Sequence, residues 1–124
     1  MLFKIKDRHT ELCVLCISTD VLDLRGVIIS DQNASSDYVL FVSAPDGLRV
    51  VDRDKVFATY WTHPDNPIEE MRHGSIMCAE VLVPDRVEPR YIQRAYVSCD
   101  ESKEAFDSLD TGIEAIINSH LFFR

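Results

Sequence analysis

The chain has 124 residues, 46% hydrophobic and 27% charged, with only four glycines and five prolines. Its size is enough to bury roughly two-thirds of the unfolded surface around a single core, and its composition excludes disordered, collagen-like and low-complexity proteins. Thirteen basic against 21 acidic residues leave a net charge of −8, which argues against broad nucleic-acid or anionic-membrane binding by bulk charge.

The N-terminus, Met1-Leu2-Phe3-Lys4-Ile5-Lys6, is too short and polar for a secretory signal. No apolar run approaches the ~20 residues of a membrane span. Four cysteines do not make a disulfide scaffold here, so a cytoplasmic protein with reduced thiols and no membrane partner is expected. Leu12 to Ile17 is a continuous apolar run, the pattern of a strand buried on both faces. Ser18 or Thr19 caps a short helix over residues 20–24, which Gly26 stops. Val27-Ile28-Ile29 is a second short apolar segment, and Ser30 to Ser36 is polar and reads as a loop. Tyr38 to Val42 fits strand or helix equally.

Pro45-Asp46-Gly47 predicts a turn. Asp52 caps a helix from Arg53 to Trp61, with Val56, Phe57, Tyr60 and Trp61 as its apolar positions. Thr62 to Gly74 holds Pro64, Asp65, Asn66 and Pro67, and predicts a long loop of the kind that often carries function. A strand over Ile76 to Val83 follows, closed by Pro84. Pro89 starts a short turn or helix, and Arg94 to Cys99 is another strand candidate. Ser102 to Leu109 suits a helix, with Ala105, Phe106 and Leu109 at helical spacing. Ile113 to Ile117 is either a closing strand or a second helix.

Cys13-Val14-Leu15-Cys16 has CxxC spacing, but a zinc knuckle needs a turn between its thiolates. On a strand these two side chains point to opposite faces. All four cysteines are therefore expected to be buried structural residues, with no metal bound. His9 and His63 read as solvated loop histidines. Glu80 is the unusual residue, a carboxylate inside an otherwise apolar run. It lies either on the wet face of a half-exposed strand or on a rigid strand facing a cleft, where it could bind a substrate hydroxyl or act as a base.

Val56-Phe57-Ala58-Thr59-Tyr60-Trp61, the loop carrying Asp65 and Arg72, and Ala79-Glu80-Val81-Leu82-Val83 together resemble the DarT family, the DNA ADP-ribosyltransferase toxins of toxin–antitoxin systems. Leu12 to Gly26 is similar to that family's strand-plus-helix unit, and Ser30-Asp31-Gln32-Asn33-Ala34 to its polar turn. His120-Leu121-Phe122-Phe123 echoes its aromatic C-terminus. The resemblance spans most of residues 1–123 and is strongest over 52–87. It implies one α+β domain over residues 1–124 with a PARP-like ADP-ribosyltransferase fold, a mixed, largely antiparallel sheet flanked by short helices.

It further implies NAD as co-substrate, single-stranded DNA as partner, and an antitoxin protein. Glu80 would be catalytic, holding the nicotinamide-ribose hydroxyl. Tyr60 and Trp61 would contact the cofactor, and Arg72 and His73 the substrate. The sequence departs from the family in two ways. Val81 replaces a phenylalanine, and Ile68 to His73 offers one arginine and two acids where the family has several bases. Residue 1 matches the interior of the family's domain, so an N-terminally truncated fold with weak or absent catalysis is expected. The alternative is a non-catalytic remnant or interaction module that binds DNA or an antitoxin.

Overall fold

The computed structural model describes residues 2–122, with side chains from Asp7 onward. It divides into two compact units. Unit one comprises residues 1–19 and 88–124, and unit two residues 20–87.

Unit one is built on a three-stranded sheet in the order β1-β5-β6. Strand β1 (Val14–Ile17) runs antiparallel to β5 (Ile92–Val97), and β5 pairs in parallel with β6 (Ala115–Ile117). A parallel neighbour cannot be reached by a hairpin, and α3 (Asp100–Asp107) provides the crossover between β5 and β6. Central position buries Ala95 and Val97 on β5, joined by Ala115 and Phe122. Strand β1 is the edge, and Leu15 is 42% exposed. The expected burial of this strand on both faces is thus corrected. Its continuous apolar run marks an edge strand with one face open.

Unit two holds the second sheet, in the order β3-β2-β4. Strands β3 (Phe41–Ser43) and β4 (Glu80–Leu82) both run antiparallel to the central β2 (Ile28–Ser30). Val21, Val27 and Ile29 form its apolar core. Gly26 takes φ +82° at the turn into β2, as its position after the short 3-10 helix Thr19–Asp23 requires. Gly47 lies in the 3-10 turn Asp46–Val50, where an added Cβ would stand 2.6 Å from the Val42 carbonyl oxygen. Across the two sheets three of the four pairings are antiparallel, so the mixed, largely antiparallel α+β class holds.

Three expected elements differ between residues 53 and 83. Helix α1 (Arg53–Val56) begins at the Asp52 cap as expected, but ends after four residues. Phe57 and Tyr60, the side chains meant to bury its continuation, are exposed, so no packing energy extends it. The predicted loop instead contains α2 (Pro67–Ile76). Asn66 Oδ1 accepts from the Glu69 backbone N–H at 3.2 Å, Pro67 occupies the first turn, and Glu69 and Glu70 sit at the positive end. The residues that looked like breakers are helix-start signals. The strand predicted over Ile76 to Val83 shrinks to Glu80–Leu82, because Ile76 closes α2 and Met77 keeps a helical conformation as its C-cap.

Phe123, part of the aromatic C-terminal echo, lies outside the described residues. No helix among the described residues is long and apolar enough to cross a membrane.

Candidate active site

Glu80 opens β4 opposite Ser30 of β2. Ser30 is fully buried, and its Oγ accepts the Glu80 backbone N–H at 3.2 Å. The backbone of Glu80 is thereby fixed from within the core. Its side chain is exposed, and its carboxylate has no hydrogen-bond or ion-pair partner among the described residues. The sequence left open the wet face of a half-exposed strand or a strand facing a cleft; Glu80 occupies an exposed strand position and does not line the groove beside His63 and Glu70.

The helix that leads to Glu80 is also tied down. Asn33 donates its backbone N–H to the Ser75 carbonyl at 2.9 Å, and Ser75 Oγ donates to Gln32 Oε1 at 3.0 Å. Gln32 Nε2 in turn donates to the Tyr38 carbonyl at 3.0 Å. The polar segment after β2 therefore clamps the last turn of α2 at Ser75, five residues before Glu80.

A second set of groups gathers around His73, in the same last turn of α2. His73 is buried, with Nε2 3.0 Å from the Lys55 carbonyl oxygen and Nδ1 3.1 Å from His63 Nε2. A carbonyl can only accept, so a neutral His73 carries its proton on Nε2 and accepts at Nδ1. His63 must then donate from Nε2, and in its neutral form Nδ1 remains an acceptor. The backbone N–H of His63 donates to Glu70 Oε2 at 2.9 Å. His63 is thus held through its ring and its backbone and is not the freely solvated loop residue expected. His9 is also engaged, with Nδ1 2.7 Å from Ser98 Oγ.

Beside His63 and Glu70 lies an open groove of about 410 Å³, lined also by Trp61, Met71 and the Pro64 and Pro67 rings. Trp61 is 38% exposed, and Cζ3 stands 3.7 Å from the position a Cβ would take at Gly74. The indole therefore lies against α2 at Gly74, with room for an ordinary van der Waals contact there. Glu80 is not among the groove's lining residues.

Tyr60 is 88% exposed, and Arg72 lies exposed on α2. His73 is enclosed, and both its ring nitrogens are taken by protein partners. Trp61 and His73 therefore reach one neighbourhood through His63, a residue the sequence reading set aside. The ten-residue separation of His63 and His73 carries no signal until α2 is recognised. The capped start at Asn66 and Pro67 was the available clue.

The cysteines are corrected as a group. Cys13 and Cys78 are exposed, and Cys16 and Cys99 are half-buried. Cys13, Cys78 and Cys99 lie outside the strands, and Cys16 is on the edge strand β1. Cys99 caps α3, with Ser102 Oγ 3.4 Å and Ser98 Oγ 3.6 Å from its sulphur. The Ser102 hydroxyl, then the Ser102 backbone N–H and the Ser98 hydroxyl, hold the thiol below its usual range against an opposing effect of desolvation.

Comparison with known proteins adds the family. Residues 1–123 match the model of the family described as "ssDNA thymidine ADP-ribosyltransferase, DarT". No match was found among curated sequences. Among solved structures, Thermosipho africanus DarTG in complex with ADP-ribose aligns over 99% of this chain and 33% of its own, at 22% identity and a TM-score of 0.74. Thermus sp. 2.9 DarT in complex with NAD+ aligns over 90% of this chain and 57% of its own, at 15% identity and TM-score 0.76. The same protein in complex with ADP-ribosylated ssDNA aligns over 90% and 54%, at 15% identity and TM-score 0.75. This chain therefore spans between a third and somewhat over half the length of these three.

Proposed function

Because the chain belongs to the DarT family, we propose that it carries the glutamate of an ADP-ribosyl transfer site, using NAD+ to modify a nucleobase in single-stranded DNA. The observation that carries this reading is Glu80, an exposed carboxylate without a protein partner on a backbone pinned by buried Ser30. An unengaged carboxylate on a rigid strand suits a ribose hydroxyl, which donates to it. Related structures hold NAD+ and ADP-ribosylated ssDNA.

Transfer breaks the bond between the ribose C1′ and the nicotinamide nitrogen and forms one from C1′ to a base nitrogen. Positive charge builds on the ribose as nicotinamide leaves. Glu80 holds the adjoining hydroxyl and stabilises that charge, and it accepts the proton displaced from the base nitrogen. Tyr60, being exposed, offers a ring to the cofactor, and Trp61 offers a second, within its groove, to a base or to nicotinamide. Arg72 supplies a cation for a phosphate of the strand. His73 contributes through His63, which it holds in one tautomer. An antitoxin protein completes the proposed partner set.

The test mixes the protein with NAD+ and short single strands of varied base content, and measures strand mass. A gain of one ADP-ribose that disappears in Glu80→Gln is expected, by about a hundredfold or more. No gain above that control on any strand contradicts the reading.

A further inference from the structure

The groove on α2 is chemically one-sided. Its polar groups are the Glu70 carboxylate and the His63 ring, and no cation lines it. The Lys55–His73–His63 chain fixes the His63 proton on Nε2, so neutral His63 offers only an acceptor at Nδ1. Glu70 spends one lone pair of Oε2 on the His63 backbone, and Oε1 has no partner among the described residues. Trp61 closes one side with an indole seated on Gly74. A phosphate is repelled by such a site. A flat ring that presents hydrogen-bond donors is not.

Among nucleobases, guanine alone sets two donors, N1–H and N2–H, side by side on one edge, where a carboxylate takes both. Thymine sets its one donor between two acceptors, and adenine and cytosine pair one donor with an acceptor. We propose that this groove is a base-reading subsite, which seats a guanine of the single strand against Trp61 with its N1–H and N2–H donors on Glu70. The choice of a DNA strand as ligand rests on the proposed function. Glu80 does not line the groove, so the guanine is a flanking base and not the base modified.

Trp61 is the only tryptophan of the chain, so its fluorescence reports this groove directly. The experiment titrates the protein, without NAD+, with short thymidine strands carrying one central guanosine, adenosine, cytidine or thymidine, and with nicotinamide alone. Half-saturation is compared in place of quenching amplitude. The guanosine strand is expected to saturate at a concentration at least about tenfold lower than the others, the discrimination of one good bidentate pair. Glu70→Gln keeps an acceptor for the His63 N–H but loses the carboxylate, and is expected to abolish the preference.

Equal half-saturation for all strands, no saturation, tighter binding of nicotinamide, or a preference that survives Glu70→Gln overturns the proposal. The four-strand comparison in the unmodified protein stands even where the variant fails to fold. Because the readout needs no transfer, a failure here leaves the mass test of Glu80 intact, and the reverse also holds.

Discussion

At the scale of single residues, side chains that looked alike in sequence have different surroundings. The four cysteines all sit in apolar-looking runs, yet only Cys99 caps a helix and meets two serine hydroxyls. Its lowered pKa means that its thiolate forms at a pH where an ordinary thiol remains protonated. Alkylation with iodoacetamide, mapped by peptide mass, should therefore modify Cys99 before the more exposed Cys13 and Cys78 as pH is raised from acid. Ser102→Ala removes the largest cause and should move that onset upward. Modification in simple order of exposure contradicts the assignment. The depressed pKa also stabilises the fold only above the ordinary thiol range, and that contribution fades as pH falls through the lowered value. Glu80 was legible because one acid stood in an oily run. His63 was not, since its partners are His73, ten residues on, and the backbone N–H acceptor on Glu70.

At the scale of elements, the sequence placed β1 and β5 close to their observed positions, left the regions of β3 and β6 open between strand and helix, and misjudged the stretch around α2. Two signals competed there. Pro64, Asn66 and Pro67 suggest a loop, while Asn66, Pro67 and Glu69 in that order suggest a helix start. The structure resolves the conflict through the Asn66 cap. Asn66→Ala should cost about 1 kcal/mol, and Asn66→Asp much less, since aspartate keeps the acceptor. Thermal unfolding of the three proteins measures this, and equal midpoints contradict the cap. The short β4 was harder to read, because Ile76 and Met77 are apolar for the sake of α2 and not of a sheet. Apolar runs mark burial and leave the period ambiguous over four to eight residues.

At the scale of the whole molecule, the −8 charge limits how DNA can be held. On the proposed reading, the groove lined by Trp61, Met71 and Glu70 takes bases by stacking and hydrogen bonding, which salt screens weakly, and Arg72 is the cation assigned to a phosphate. Single-strand binding should therefore show a shallow salt dependence, with log affinity against log salt sloping near −0.7, the value for about one phosphate contact. Arg72→Ala should flatten it further. A slope several times steeper points to a basic surface elsewhere and contradicts this mode of binding.

The central claim is that the Glu80 carboxylate does the chemistry, and nicotinamide release tests it most directly. With saturating NAD+ and single-stranded DNA present, release by the unmodified protein is expected to exceed that by Glu80→Gln about a hundredfold or more, with both variants unfolding at the same temperature. Equal release by the two proteins contradicts it.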